Sequence, residues 1–336
     1  MSTPKKVLVL GATGAMGKYL VPKLLEKGYM VDAVALDEFH SDAPNLRNIV
    51  GNAMDWNFLD PLLKNNYDGI VDFMKYTSAE IACYLPAFLE STGHYMFFSS
   101  YRIYDNKEVP IKETSPRLID TADDIWLRNS DDYSIYKARG ENVLMASNRK
   151  NWTAVRPAPT YSLMRYQLVT LEAPVVIGRT RAGKSVVLPE QARYVDATMS
   201  WAGDVADMLA LLLFNEKAMG EIYTTATSEH HTWDEIADYY KDICGLKAVW
   251  IDKEDYIKMV TWKPHFPGNR WQLEYDRLFT RIIDNTKVLE ATGLKQENFM
   301  PLYEGLKYEV SRCPDMPEWL KAAPSMDKYL EAHGMK

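Results

Sequence analysis

Short apolar runs alternate with longer amphipathic stretches through the first half of the chain. Lys6 to Leu10 (KVLVL) is apolar after its first residue, as expected of a strand buried on both faces. Gly17 to Lys27 places apolar residues at helical spacing, and Met30 to Leu36 returns to a short apolar run. The alternation continues with strands at Asn48 to Val50, Gly69 to Met74 and Tyr95 to Ser99, and with a helix at Ala79 to Ser91 between the last two. Polar text from Asp120 to Asp132 predicts a loop. A helix from Tyr133 to Asn148 follows, then a strand from Trp152 to Arg156 that stops at Pro157-Ala158-Pro159. Strands separated by helices imply parallel pairing, so the expected fold class is α/β with a doubly wound parallel sheet. Beyond 160 the pattern is less regular. The strand Glu221 to Thr225 is expected to return to the main sheet, within 221–227. That divides the chain into 1–160 plus this strand, and a smaller, discontinuous C-terminal domain over 161–336, drawn from about 160–200, 228–280 and the final helices.

The chemistry begins at the turn after the first strand. Gly11-Ala12-Thr13-Gly14-Ala15-Met16-Gly17 puts three glycines between a strand and a helix. Gly11 permits the tight turn, Gly14 lets the backbone approach a pyrophosphate, and Gly17 allows the helix to pack closely on the strand. Amide groups at the helix start would hold the phosphates, so Thr13, Ala15 and Met16 are expected to border a dinucleotide as well. In Rossmann-like folds such as this one, an acidic residue ending the second strand holds the ribose, and Asp37 is the nearest here. No arginine stands beside it for a 2′-phosphate, which favours NAD over NADP.

Tyr133-Ser134-Ile135-Tyr136-Lys137 is the second informative segment. Residues four apart share a helix face, so Tyr133 and Lys137 can meet over one ligand. A phenol with an ordinary pKa near ~10 becomes a usable acid/base when cations lower that value. Tyr136 faces elsewhere and is the weaker candidate.

The GxxGxxG spacing together with YxxxK resembles the extended short-chain dehydrogenase/reductase family, the NAD-dependent epimerases, dehydratases and nucleotide-sugar epimerase-like enzymes. The resemblance covers nearly the whole chain. It implies that Ser100, in Ser99-Ser100-Tyr101-Arg102-Ile103-Tyr104, orients the substrate oxygen, with Ser99 as runner-up. Tyr101 beside it would touch the substrate. It also implies that Asn52-Ala53 borders adenine in place of the family's acidic residue, and that the backbone of Pro157 borders the nicotinamide. Asp37 stands two residues later than the family position, which Ala35 occupies. Met74-Lys75 stands where the family has small residues beside the cofactor, and Lys75 either touches a phosphate or substrate or points to water. Tyr101-Arg102 replaces the acidic pair of the sugar dehydratases, which disfavours dehydration. Arg193 could grip a diphosphate. Gly203-Asp204 and Asp284-Asn285-Thr286-Lys287 are similar to later family segments.

The implied activity is NAD-dependent hydride transfer at a hydroxyl of a sugar or nucleotide sugar, ending in epimerisation or in net dehydrogenation. A non-nucleotide alcohol or carbonyl is an alternative substrate. The chloroplast stem-loop RNA-binding relatives offer an alternative of another class, and a cofactor-sensing regulator a third. The formal charge of −7 argues against nucleic acid. A content of 47% hydrophobic and 25% charged residues excludes a disordered chain. Cys83, Cys244 and Cys313 form no CxxC pair, and the adjacent His230 and His231 do not share a helix face, so no metal is expected. No apolar stretch is long enough to span a bilayer and the first residues do not resemble a signal peptide, which predicts a cytoplasmic protein. In the extended family the helices at Ala79 to Ser91 and Tyr133 to Asn148 form a four-helix interface between two copies, and Ile81, Leu85, Phe88, Val143 and Leu144 are apolar at roughly helical spacing on them, so the resemblance predicts a two-fold homodimer, although some of these residues must face the sheet.

Overall fold

The computed structural model describes residues 3–38, 41–260 and 268–335. Positions 261–267, within one piece of the expected smaller domain, lie outside the described residues. Seven parallel strands form the main sheet: β1 (Lys6–Leu10), β2 (Met30–Ala35), β3 (Leu46–Val50), β4 (Tyr67–Asp72), β5 (Thr92–Phe98), β6 (Trp152–Val155) and β7 (Glu221–Tyr223). Their order across the sheet is β7-β6-β5-β4-β1-β2-β3. The chain builds outward from β1 to β3 and then starts again at β4 on the other flank of β1. Carboxyl ends diverge at that switch point and leave a crevice there.

Alternation along β1 shows how the layers are specified. Val7 and Val9 face a core shared with α1 (Gly17–Glu26) and with the helix Ala202–Leu212. Leu8 and Leu10 face a core shared with α2 (Trp56–Leu63), α3 (Ser78–Ser91) and α4 (Tyr133–Ala146). Helix starts are fixed locally. Thr77 and Glu80 form a reciprocal capping box at α3, and the Asp132 carboxylate accepts the Ser134 N–H at α4.

A separate apolar core lies beyond the sheet, built from positions between 161 and 330. In it Val186–Pro189 pairs in parallel with Ala248–Ile251, and the helices Trp233–Cys244, Leu302–Ser311 and Pro324–Ala332 pack around them. The buried Glu309 carboxylate ties this core to α1, accepting from Tyr19 Oη and Trp201 Nε1 at 2.6 Å each.

Several sequence readings change. The stretch 120–132 is not simply a loop: Leu118–Thr121 and Ile125–Asn129 are short helices, the second capped by Asp124. Strand β4 ends at Asp72, two residues before the expected end, so Phe73 to Lys75 are free to line the crevice. Strand β7 is cut to three residues. Of the stripe offered for a dimer, Ile81, Leu85, Phe88 and Leu144 are buried against the sheet and Val143 is partly covered there. No helix among the described residues is long and apolar enough to cross a membrane.

Candidate active site

Two cavities open at the carboxyl edge of the sheet and meet at Met16, Phe73 and Arg165. The first, of about 380 Å³, runs from the glycine turn to the ends of β2 and β3. Gly11 adopts φ +85° and donates to Val34 O at 2.9 Å, which folds the turn back on the sheet. A Cβ at Gly11 would meet Met74 Cε at 2.6 Å, and one at Gly17 would meet the carbonyl oxygens of Gly11 and Ala12 at 2.5 and 2.6 Å. Backbone packing therefore requires Gly17, and the positive φ requires Gly11. Backbone N–H groups of Ala15, Met16 and Gly17 have no backbone partner among the described residues and lie at the start of α1. With the helix dipole behind them they form an anion seat.

All the residues expected of a dinucleotide's phosphate and adenosine half are brought together here: Gly11, Thr13, Gly14, Ala15, Met16, Gly17, Asp37, Asn52, Ala53 and Met74. The exposed Leu36 joins them. Asn52 Oδ1 is engaged by the Met54 N–H at 3.0 Å, which turns its amide N–H groups into the available donors for a base. The glycine cradle, the unpaired amides and the carboxylate at the far end fit a dinucleotide.

The second cavity, of about 270 Å³, gathers Lys75, Ser99, Ser100, Tyr101, Arg102, Tyr133, Lys137 and Pro157. Ser100 lies just past β5, and its Oγ accepts the Arg102 N–H at 3.2 Å while also hydrogen-bonding with Tyr133. Enclosure raises the Tyr133 pKa above its ordinary 10.0; the Ser100 hydrogen bond and the charges of Arg102 and Arg165 pull it back, and Asp276 pushes it up. The expected cation, Lys137, faces the Tyr133 ring. Its Nζ lies 5.8 Å from the Tyr133 ring centre and donates to Phe98 O at 2.6 Å and Met74 O at 3.3 Å. Two of three ammonium protons are thereby held and one remains for a ligand. Burial lowers the Lys137 pKa to about 8, the nearby Asp72 carboxylate opposes that, and Lys75 adds to it. Asp72 itself is buried beneath, accepting from Tyr95 Oη at 2.7 Å and the Met74 N–H at 2.9 Å. Tyr136 packs edge-on against Tyr133 with ring centres 5.4 Å apart and does not line the cavity.

Arg193 stands apart from the other expected residues. It lines neither cavity. Its guanidinium pairs with Asp234 at 3.0 Å and Glu190 at 3.7 Å, carboxylates that satisfy it at the surface. Two further cations of this cavity, Arg165 and Arg277, were not legible by position. Arg165 comes from a tight turn, Ser162 to Arg165, closed by backbone hydrogen bonds at 2.9 and 3.1 Å. Arg277 comes from a helical turn, Leu273–Arg277, kinked at Tyr275, which places the consecutive Asp276 and Arg277 in buried surroundings. There the Tyr101 hydroxyl donates to Asp276 and accepts from Arg277, so Tyr101 reaches the cavity with its polar end already engaged. The only sequence signal was the run of charges, Asp276, Arg277 and Arg281, set among aromatic residues.

A protein-family model described as the NAD dependent epimerase/dehydratase family matches residues 7–226. Among curated proteins, the chain is 23% identical over 251 residues to the chloroplast stem-loop binding protein of 41 kDa b of Arabidopsis thaliana, covering 70% of this chain and 62% of that protein. Among solved structures, epimerase Mth375 of Methanothermobacter thermautotrophicus superposes with a TM-score of 0.69 at 13% identity, covering 97% of this chain and 95% of that one. The UDP-glucuronic acid 4-epimerase of Bacillus cereus, in complex with UDP-glucuronic acid and NAD, gives 0.67 at 14% identity over 91% and 98%. At these identities the structural likenesses speak to the fold. The family model spans well over half of the 336 residues, and the chain belongs to the NAD-dependent epimerase/dehydratase family.

Proposed function

We propose that the protein binds NAD and catalyses hydride transfer at a hydroxyl of a sugar or nucleotide sugar, with Tyr133 as acid/base. The observation that carries this reading is the meeting of Ser100, Tyr133 and Lys137 in one cavity that opens onto the glycine-lined one. NAD, when bound, supplies the hydride acceptor and, for the return step, the donor. Gly11 to Gly17 hold its phosphates, Asp37 its adenosine ribose, and Asn52 with Ala53 the base. The backbone of Pro157 borders its nicotinamide half.

At neutral pH the enclosed Tyr133 phenol is protonated, which suits it to donate to a carbonyl oxygen during reduction. In the oxidation direction it takes the proton of the substrate hydroxyl, and Arg102 and Arg165 stabilise the phenolate that performs this step. Ser100 holds the substrate oxygen against the phenol. Lys137 keeps one N–H to donate to a ligand in this cavity.

The test is Tyr133→Phe, which keeps the ring and removes the hydroxyl. Turnover with NAD across a panel of sugars and nucleotide sugars should fall about 10²–10⁴-fold while calorimetry finds NAD affinity unchanged. Near-normal turnover would falsify the assignment. Whether the oxidised intermediate is re-reduced or released is read from the cofactor: NAD retained through purification supports epimerisation, and freely exchanging NAD supports dehydrogenation. The similarity to the chloroplast protein supports RNA binding as a second reading, which salt-dependent retention on immobilised RNA would favour.

A further inference from the structure

The wall of the second cavity is strongly cationic. Lys75, Arg102, Lys137, Arg165 and Arg277 line it against a single carboxylate, Glu172. Two of the five are already committed, since Arg277 pairs with the buried Asp276 and Lys137 donates to two carbonyls. Lys75 and Arg165 are not, and Arg102 is held only by longer ion pairs. Neither Lys75 nor Arg165 has a side-chain hydrogen bond or ion pair among the described residues. Arg102 pairs with Asp276 through Nε at 3.4 Å and with Asp132 at 3.6 Å, and its buried Nε makes no well-formed hydrogen bond. Ser99 Oγ, on the same wall and 1% exposed, is also without a partner. Buried donors without acceptors are rare in folded proteins and mark a place where a partner binds.

We propose, resting on the hydride-transfer reading above, that the substrate carries an oxyanion on the same small molecule as the reacting hydroxyl, the carboxylate of an acid sugar or the phosphate of a sugar phosphate, seated by Arg102, Arg165 and Lys75. Distance sets the location of that charge. The Arg102 guanidinium carbon stands 5.1 Å from the centre of the Tyr133 ring, so an anion on Arg102 lies within one sugar unit of the oxygen that Tyr133 serves. A nucleotide diphosphate further along the substrate would be too remote from the phenol. Lys75 and Arg102 line only the reacting cavity, which separates this seat from the phosphate cradle at the glycine turn. Guanidinium groups suit it because their planar fork matches carboxylate and phosphate oxygens in pairs.

The experiment is calorimetric binding to the NAD-saturated protein of matched pairs: glucuronate against glucose, galacturonate against galactose, glucose 6-phosphate against glucose, and UDP-glucuronate against UDP-glucose. The charged member of at least one pair should bind at least about tenfold more tightly. The acid-sugar and sugar-phosphate arms then identify the anion. Arg165→Gln and Lys75→Gln remove side chains with no partner to strand, so both should melt like the parent protein, and each should reduce the preference several-fold with NAD still saturating. Arg102→Gln should abolish it. Equal or undetectable binding of the charged member in every pair overturns the proposal, and so does a preference that survives all three substitutions. The readout is binding, so a failure of Tyr133 as acid/base would show in turnover and leave this result standing.

Discussion

The two cavities that meet at Arg165 are built in opposite ways. The glycine-lined one is local: its lining, apart from Arg165, comes from short segments at the ends of β1 to β4, and backbone geometry shapes it. The reacting one is assembled from residues as distant as Lys75 and Arg277, and buried charge shapes it. A backbone cradle tolerates little added volume but holds no charge of its own. A charged cavity depends on each ion keeping its counterion, and can be disrupted from a position far along the chain.

The largest effect that separates them is expected from Arg277→Met. It leaves Asp276 buried with only Arg281 and Arg102 nearby at 3.4 Å. Breaking a buried pair costs about 3–5 kcal/mol, and the lower end applies here because two cations remain. Urea unfolding should show that loss together with weakened substrate binding, while NAD affinity stays within about twofold. A parallel fall in NAD affinity would mean the two cavities are one unit.

Lys137 tests the same contrast through pH. Its pKa is about 8 when folded and 10.5 when not, so between those values the unfolded chain binds more protons. Stability therefore rises with pH across that window, and the cost of the buried ammonium is fully present below about pH 8. Relative to Lys137→Met, the gain should reach about 3 kcal/mol by pH 10.5. Unfolding midpoints measured from pH 7.5 to 10 decide the matter; a constant difference between the two proteins would show a solvated lysine.

Gly17→Ala strikes the other cavity. Its Cβ would press on two backbone oxygens that cannot rotate away. Overpacking of this kind costs about 1–3 kcal/mol. NAD affinity should fall at least tenfold by calorimetry, with the preference between charged and neutral sugars intact. Unaltered NAD affinity would detach the glycine turn from the phosphate role.

How much of this was legible follows the same division. The glycine turn, Asp37 and Asn52 could be placed because strand periodicity fixes where each β-strand ends, and the crevice is at those ends. Tyr133 and Lys137 could be paired because helical spacing puts them on one face. Arg193 was chosen by chain order alone, and its surface pairing with Asp234 is invisible without coordinates. The stripe on α3 and α4 was read for a partner, yet an apolar face does not say what covers it, and the sheet covers most of it within the chain.

By itself, then, the sequence determined the layers, the direction of the sheet and the backbone cradle, because those depend on local periods of two and 3.6 residues and on the small size of glycine. Tertiary structure alone decided that Arg165 and Arg277 enter the reacting cavity. Asp276 and Arg277 lie more than 130 positions from Tyr133, and only the packing of the second core on the sheet brings their kinked turn beneath Tyr101. Burial then sets the proton affinities of Tyr133 and Lys137, which their residue types and spacing leave open.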